Sequence, residues 1–283
     1  MKIIECPRDA MQGIDKFIPT NLKITYINQL LKVGFDTIDF GSFVSTKAIP
    51  QMKDTADVVN GLNMSATTSK LLAIVANTRG ADQASAFQQI TYLGFPMSIS
   101  ETFQVRNTNK TISQALNSLG EIKDICVRSN KKLVTYISMG FGNPYGDPYA
   151  PELVNQFVDI LLTLGSDIIS LADTVGVSTP DNIHQLFTSL TSSYPSTEIG
   201  IHLHSSPQAR YEKIEAAFNA GCKRIDGALK GFGGCPMAND DLVGNLPTED
   251  ILSFVQSKQG ATLVDATELE KALALAADVF STH

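Results

Sequence analysis

The chain has 283 residues, of which 43% are hydrophobic and 18% are charged, and this composition predicts a folded chain with a substantial core. The formal net charge of −7, without any run of lysine or arginine, argues against nucleic acid as a partner. No segment offers about 18 uninterrupted apolar residues, and no secretory pattern stands at the start of the sequence, so a membrane partner is not expected either.

The four cysteines, at positions 6, 126, 222 and 235, form no CxxC pair. A chain of this length does not need a disulfide framework, so we expect reduced thiols and a cytoplasmic location. At least one thiol is then free to react.

Short apolar runs alternate with helical patterns along the chain. Strands are predicted near residues 2–6, 36–40, 71–77, 95–100, 132–138, 167–172, 198–204 and 224–229. A glycine stands between a helical pattern and the next apolar run directly after Val33, Leu93, Leu164 and Ala220. Glycine at such a position is typical of a helix that ends in a left-handed residue. Thr20 and Thr111 precede apolar residues at helical spacing and are candidate N-caps.

Eight strand and helix units, at about 30 residues each, predict a parallel sheet closed into a (β/α)8 TIM barrel, with residues 1–283 as one catalytic domain of α/β class. No GxGxxG motif follows the first strand, which weakens the alternative of an open dinucleotide-binding sheet. An extra C-terminal helix begins near Thr267 and is expected to pack on the barrel or on a neighbouring subunit.

Polar residues follow the predicted strands, where barrels of this kind form their active sites. The candidates are Arg8, Asp9, Asp39, Asp173, His202, His204, Cys235 and Asn245. From the pattern alone, Asp9 and Asp173 could instead cap helices, and Arg8 could form a structural ion pair with Asp9.

His202 and His204 stand two residues apart in a strand, so their side chains point to the same face. If that face is the barrel axis, the two rings with Asp9 and Asn245 would form a mixed nitrogen and oxygen set suited to Mg or Mn, and not exclusive of Zn or Fe. The alternative is a pair of hydrogen-bonded histidines with a purely structural role.

Cys235 lies in GFGGCPMAND, where the three preceding glycines permit a mobile loop. A mobile loop could carry the thiol into an active site. The alternative is a small apolar side chain in a turn, which is the commoner use of cysteine.

These motifs together resemble the 3-hydroxy-3-methylglutaryl-CoA lyase family, within the metal-dependent barrel superfamily that also contains isopropylmalate and homocitrate synthases. The resemblance runs from about Ile3 to Asp250. It rests on PRDAMQ, SFVSTKAIPQM, SLADTVGVSTP, the two histidines, and GGCPMA followed by GNLPTED. The last pair is the most specific, because the condensing enzymes of the superfamily lack that cysteine-bearing loop.

The resemblance implies a divalent cation, Mg or Mn, held by Asp9, His202, His204 and Asn245. It also implies Arg8 beside a thioester carbonyl and Asp173 as an acidic residue that orders the site. Proton transfer would fall to His202 and Cys235.

The implied reaction is retro-Claisen cleavage of 3-hydroxy-3-methylglutaryl-CoA, or a similar branched 3-hydroxyacyl-CoA, to acetyl-CoA and acetoacetate. The partner is then a small acyl-CoA, and the enzyme is expected to be a homo-oligomer. The cations expected near the phosphates of CoA are Arg106, Lys110, Lys16 and Lys47.

Three departures from the family pattern keep alternatives open, and one of them is Lys230, which stands before GFGG where a small apolar residue is expected. Asp39 falls where the lyases usually have Glu, and Ser205 replaces the Asp that usually follows the second histidine. They predict weaker metal binding, slower turnover or a shifted substrate. The alternatives are a condensing acyltransferase that joins a 2-oxo acid to acetyl-CoA, and a weakened barrel that acts as a binding protein.

Overall fold

The computed structural model describes residues 1–65, 67–234, 243–260 and 264–280. Its strands form one closed barrel in chain order, with each strand parallel to its neighbours and the eighth paired with the first. The strands are β1 Lys2–Glu5, β2 Thr37–Ser42, β3 Lys70–Ile74, β4 Ile90–Ser98, β5 Lys132–Ser138, β6 Ile168–Asp173, β7 Glu198–Leu203 and β8 Arg224–Gly227. The prediction of a (β/α)8 barrel is therefore confirmed.

Helices connect the strands and surround the barrel. They are α1 Pro7–Gln12, α2 Thr20–Val33, α3 Thr55–Asn60, α4 Thr78–Ser85, α5 Glu101–Thr108, α6 Ile112–Arg128, α7 Pro151–Thr163, α8 Pro180–Ser193, α9 Arg210–Asn219, α10 Thr248–Gln259 and α11 Ala266–Phe280. Short 3-10 turns lie at Pro50–Met52 and Leu229–Gly231. Among the described residues, none of these helices is long and apolar enough to cross a bilayer.

The apolar core has two parts that follow from the alternation of side chains along each strand. Most buried apolar residues lie between the barrel and its helices. A smaller cluster includes Leu72, Val134 and Tyr136, and it lies inside the barrel, beside the polar site described below.

The glycine pattern is confirmed at three of its four positions. Gly34, Gly165 and Gly221 take positive φ angles just beyond the ends of α2, α7 and α9. Gly94 is the exception, because it lies inside β4. A Cβ there would come within 2.6 Å of Cδ1 of Ile74, so this glycine gives room for packing inside the barrel, and β4 begins earlier than predicted.

The two predicted N-caps have different outcomes. The side chain of Thr111 accepts a hydrogen bond from the backbone N–H of Gln114, and the Gln114 side-chain oxygen accepts one from the Thr111 backbone N–H, which completes a capping box on α6. Thr20 does not cap α2, since Pro19 occupies that position. The Thr20 hydroxyl donates instead to Asp54 Oδ2 at 2.8 Å.

The extra C-terminal helix is present and packs on the barrel's own helical layer. Helix α11 lies against α2, where the ring of Phe280 meets the edge of Tyr26 with centroids 6.0 Å apart. The Gln29 side chain donates to the Glu268 carboxylate at 2.7 Å. Contact with the barrel is thus observed for this helix.

Candidate active site

Helix α1 begins directly after β1 and places three polar side chains at the end of the barrel. Arg8 and Gln12 are four residues apart and lie on the same side of the helix. The Gln12 side chain accepts from Arg8 Nη1 at 2.9 Å and donates to Asp9 Oδ1 at 2.8 Å. Gln12 therefore fixes the two charged groups relative to each other.

Arg8 is held between two carboxylates. Its Nη1 donates to Asp9 Oδ1 at 2.9 Å, while Nε and Nη2 both donate to Asp39 Oδ2, at 3.0 and 2.5 Å. Burial lowers the pKa of Arg8, but the charges of Asp39 and Asp9 outweigh this and raise it. The guanidinium is a permanent cation in a fixed orientation, and it lines the cavity at this end of the barrel.

The two histidines meet as the alternation along β7 predicts. Nε2 of His202 lies 3.2 Å from Nε2 of His204, and Nδ1 of His202 lies 3.2 Å from Oδ2 of Asp226. Asp226 is the residue paired with His202 across β7 and β8. A carboxylate on Nδ1 favours the tautomer that carries its proton there, which leaves a lone pair on Nε2.

Asp9 and Asn245 complete a cluster around the His pair. The ligand atoms of Asp9, His202 and His204 all lie within 4.8 Å of one another. Asn245 Nδ2 donates to Asp9 Oδ2 at 2.7 Å and to the Phe232 carbonyl at 2.9 Å. Both amide hydrogens are thereby used, and the Asn245 oxygen is left to act as a ligand.

The charges at this cluster fit a divalent cation. Burial raises the pKa of Asp9, but the charge of Arg8 and of the imidazoles lowers it to about 2, so the carboxylate is ionised at neutral pH. Burial and the neighbouring His202 lower the pKa of His204 to about 4. An anionic Asp9 carboxylate and a neutral His204 ring are in the protonation states that a metal requires, and the amide oxygen of Asn245 needs no deprotonation.

A second trio, Cys6, His202 and Asp226, also has its ligand atoms within 4.8 Å. It suits a metal less well. Burial raises the pKa of Cys6 well above its ordinary value, which keeps the thiol protonated, whereas a thiol ligand must be deprotonated.

Asp39 has a pKa that burial raises to about 6, although the adjacent Arg8 lowers it. The carboxylate does not reach the histidine pair through any hydrogen bond between described residues, and its contacts are with Arg8. Asp39 therefore binds the guanidinium of Arg8 and is not part of the histidine cluster.

Asp173 lies on the outer side of His204, at the end of β6. Its Oδ2 accepts from the Ser178 hydroxyl at 2.5 Å and from Lys213 Nζ at 3.0 Å. Lys213 also donates to the His204 carbonyl at 2.9 Å. Asp173 does not cap a helix, because Thr179 is the N-cap of α8; it fixes the backbone that carries the second histidine.

Cys235 lies outside the described residues. The glycines that precede it are described, and they pass close to the cluster. A Cβ on Gly233 would lie 2.8 Å from the Asp9 carbonyl and from Asn245 Nδ2. Only a glycine lets the chain run so close to these two residues before it reaches position 235.

A cavity of about 790 Å³ opens above the cluster, and its wall includes Arg8, Asp9, His202 and His204. Arg106, Lys110 and Lys53 also line it. Lys16 and Lys47, expected beside it, are exposed and are not among the lining residues. The Arg106 guanidinium lies 4.7 Å from the ring centroid of Tyr145.

Sequence reasoning missed Asp226, Tyr136 and Lys213. It sought the orienting carboxylate at position 205, where Ser205 Oγ instead donates to the Ser206 carbonyl at 2.9 Å. The carboxylate comes from β8. The only signal for it was the short run RID, whose Asp faces His202 once the strand register is known.

Comparison with known proteins identifies the family of the chain. The HMGL-like family profile matches residues 2–276. The hydroxymethylglutaryl-CoA lyase YngG of Bacillus subtilis is 33% identical over 95% of this chain and 88% of its own. The cytoplasmic 3-hydroxy-3-methylglutaryl-CoA lyase of Rattus norvegicus is 31% identical over 96% of this chain and 79% of its own.

Solved structures agree as well. The HMG-CoA lyase of Acinetobacter baumannii, in complex with coenzyme A and 3-methylmalate, superposes with a TM-score of 0.91 at 29% identity, covering 99% of this chain and 91% of that one. The HMG-CoA lyase of Bacillus subtilis gives a TM-score of 0.91 at 31% identity, covering 98% and 92%. The chain therefore belongs to the HMGL-like family and is a lyase related to the 3-hydroxy-3-methylglutaryl-CoA lyases.

Proposed function

We propose that residues 1–283 act as one catalytic domain that cleaves 3-hydroxy-3-methylglutaryl-CoA, or a similar branched 3-hydroxyacyl-CoA, to acetyl-CoA and acetoacetate or its analogue. The observation that carries the proposal is the meeting of Asp9, His202 and His204 beneath Arg8 at one cavity. The relatives named above supply the reaction class.

The proposed cofactor is a divalent cation, Mg or Mn, held by Asp9, His202, His204 and Asn245. Oxygen ligands favour these hard ions, and neutral imidazole is compatible with Mn. When bound, such a cation lowers the pKa of a substrate hydroxyl and holds a neighbouring oxygen beside it.

Arg8 is the proposed partner of the thioester oxygen, which becomes negative when the carbon–carbon bond breaks. A fixed cation aimed at a developing charge stabilises the transition state more than the ground state. Asp39 and Asp9 hold three of its donor nitrogens, so the guanidinium does not have to reorganise during the reaction. Asp39 is thus proposed to act by holding Arg8.

Proton transfer is assigned to His202 and Cys235. Burial lowers the pKa of His202, but the hydrogen bond and charge of Asp226, together with the charge of Asp9, outweigh it and raise the pKa. His202 is therefore the more basic of the two imidazoles. Cys235, which follows the glycine loop at the site, is the proposed acid for the enolate carbon.

The proposed CoA-binding side of the cavity carries Arg106 and Lys110. Lys110 is half-buried and bonds to Ser118 Oγ at 2.7 Å, which fixes its position, and Arg106 lies on α5 at the cavity wall. Two cations on one wall suit the phosphates of CoA. The expected homo-oligomer and the cytoplasmic location stay predictions, since the curated relatives include cytoplasmic and mitochondrial enzymes.

The test is a substrate panel. Purified protein with Mn²⁺ is incubated with 3-hydroxy-3-methylglutaryl-CoA, with shorter and longer branched 3-hydroxyacyl-CoAs, and with acetyl-CoA plus a 2-oxo acid, and products are identified by mass spectrometry. Cleavage of at least one branched 3-hydroxyacyl-CoA supports the proposal. Condensation of the 2-oxo acid without any cleavage would replace it with the acyltransferase alternative.

A further inference from the structure

Arg224 is a fully buried arginine in the interior of the barrel. It begins β8, and its side chain crosses the inner face of β7 at Gly200. A Cβ on Gly200 would lie 2.8 Å from Arg224 Cδ and 2.9 Å from Cγ. Because Gly200 has no side chain, the Arg224 side chain can cross β7 at this position. His202 lies two residues further along β7 on the same face, so Arg224 lies one layer of side chains before the His202 ring along the strand.

Several polar atoms around this guanidinium have no partner among the described residues. They are Nε and Nη2 of Arg224, Oδ1 of Asp226, the hydroxyl of Tyr136 and the hydroxyl of Ser170. All four side chains are buried, with exposed fractions of 0% for Arg224 and Ser170, 1% for Asp226 and 8% for Tyr136. Buried polar groups of folded proteins are almost always hydrogen-bonded to protein or to ordered water. We therefore expect a bound molecule that forms hydrogen bonds with these atoms.

The four side chains come from adjacent inner positions. Tyr136 pairs with Ser170 across β5 and β6, and Ser170 pairs with Gly200 across β6 and β7. Arg224 and Asp226 are two residues apart on β8 and share a face. Burial lowers the pKa of Arg224, but the charge of Asp226 is the largest of several that raise it.

Two of these four side chains, Asp226 and Tyr136, contact His202. Oδ2 of Asp226 lies 3.2 Å from Nδ1 of His202. The rings of Tyr136 and His202 pack in a T-shaped arrangement at an interplanar angle of 88°, with centroids 6.2 Å apart. A group that fixes the positions of Asp226 and Tyr136 therefore also fixes the orientation of the His202 ring.

Charge identifies the class of ligand. The Arg224 cation is balanced by Asp226, and Nη1 of Arg224 also lies 3.4 Å from Glu198, which is itself paired with Lys2 at 2.5 Å. A balanced site does not favour an added anion. Water suits it, because one molecule can accept from a guanidinium N–H and donate to a carboxylate oxygen.

We propose that Arg224, Asp226, Ser170 and Tyr136 enclose a buried water site, and that Arg224, acting through this water, is a positioning residue that holds Asp226 on Nδ1 of His202. The role assigned to His202 rests on the proposed function. Partners that orient a metal-bound histidine set its tautomer and its basicity, and their loss commonly weakens metal binding by about 10- to 100-fold.

The test measures the dissociation constant of Mn²⁺ alone, by calorimetry, for the full chain and its variants. Arg224→Met keeps much of the volume but removes the guanidinium, and about 10-fold weaker Mn²⁺ binding is expected. Asp226→Asn is expected to weaken binding as well, and Arg224→Met added to it should cause no further loss. Arg224→Lys, which keeps a cationic donor, should bind Mn²⁺ more tightly than Arg224→Met.

The matched control is Lys23→Met, which removes another buried cation, paired with Asp54 at 2.7 Å, and should leave the Mn²⁺ constant unchanged. An Arg224→Met protein that is folded by circular dichroism and binds Mn²⁺ like the wild type would overturn the positioning role. So would fully additive losses in the double variant.

The water site has a separate test in metal-free crystals. Density for water within hydrogen-bond distance of both Arg224 and Asp226 is expected, and direct contact between the two side chains without water would overturn the site. If the wild type binds no Mn²⁺, the metal site of the proposed function fails, whereas the crystals still decide the water site.

Discussion

At the residue scale, the two carboxylates that bind Arg8 differ in their other contacts. Asp9 belongs to the histidine cluster and also binds Arg8, whereas Asp39, among the described residues, is hydrogen-bonded by the side chain of Arg8 alone. The cation and the ligand cluster are thereby linked through one carboxylate. A substrate oxygen placed between them would meet the guanidinium and the cluster at once.

His204→Ala is expected to abolish Mn²⁺ binding, because it removes one of the two nitrogens of the cluster. Titration calorimetry with Mn²⁺ measures this directly. His184→Ala is the control, since His184 is an exposed residue of α8 and should bind Mn²⁺ like the wild type. Retained binding in the His204 variant would mean that the ligand set is assigned wrongly.

Cys235→Ala is expected to keep Mn²⁺ bound while turnover falls by at least ~100-fold, the loss typical of a positioned proton carrier. Steady-state kinetics on the substrate found in the panel measure this. Cys126→Ala, a change in α6 outside the barrel, should leave turnover near the wild-type value. Full activity in the Cys235 variant would remove the thiol from the mechanism.

At the element scale, the local sequence pattern predicts the helices and strands, whereas it does not predict the register between strands. The number, order and class of the elements were predictable, because apolar runs, helical spacing and glycines such as Gly34 are local. Gly94 was misassigned, since the same residue type that ends a helix also makes room inside a barrel. Local sequence does not distinguish these two uses.

The candidate site was predictable only in part. The histidine pair could be placed on one face from alternation alone. Asp226 and Tyr136 could not be assigned to it, because their positions depend on the register between β7 and β8 and on the curvature of the closed sheet. Lys213 was equally hidden, since a lysine on α9 looks like any solvated helix residue until its contacts with Asp173 and His204 are seen.

The capping box of α6 gives a prediction for this element. Thr111→Ala removes the side chain that accepts from the Gln114 backbone at 3.1 Å and should lower the free energy of unfolding by about 1 kcal/mol. Urea denaturation measures the change. Thr25→Ala, at an exposed position inside α2, is the control and should stay within about 0.5 kcal/mol of the wild type. Equal effects of the two changes would argue against the cap.

At the scale of the whole molecule, barrel closure is what assembles the site. Asp9 and Asn245 are 236 positions apart in sequence, yet their side chains hydrogen-bond at 2.7 Å. The seam where β1 meets β8 brings them together. Stability of this seam and integrity of the site are therefore coupled.

Glu5, at the same seam, gives the molecule a pH-dependent stability. It is fully buried, accepts from Thr248 Oγ1 at 2.5 Å and from the Leu229 backbone at 2.9 Å, and burial raises its pKa to about 8. Between the ordinary carboxyl pKa and about 8, the folded chain keeps a proton that the unfolded chain has lost. The free energy of unfolding should therefore fall as pH rises through this range.

Glu5→Gln should remove this contribution, which is on the order of 1 kcal/mol per pH unit. The stability of the variant relative to the wild type, measured as the difference in the free energy of unfolding by urea denaturation, should increase from pH 5.5 to pH 7.5. Glu121→Gln, at an exposed position of α6, should show no such trend. A constant difference between Glu5→Gln and the wild type across this range would show that Glu5 does not titrate there.

We propose that carbon–carbon cleavage depends on a divalent cation, which Asp9, His202, His204 and Asn245 would hold. The most direct measurement is acetoacetate formation from 3-hydroxy-3-methylglutaryl-CoA by protein stripped with a chelator and then titrated with Mn²⁺. We predict no product without the cation, activity that saturates near one Mn²⁺ per chain, and no restoration in the His204→Ala variant. Equal acetoacetate formation with and without the cation would contradict a metal-dependent reaction.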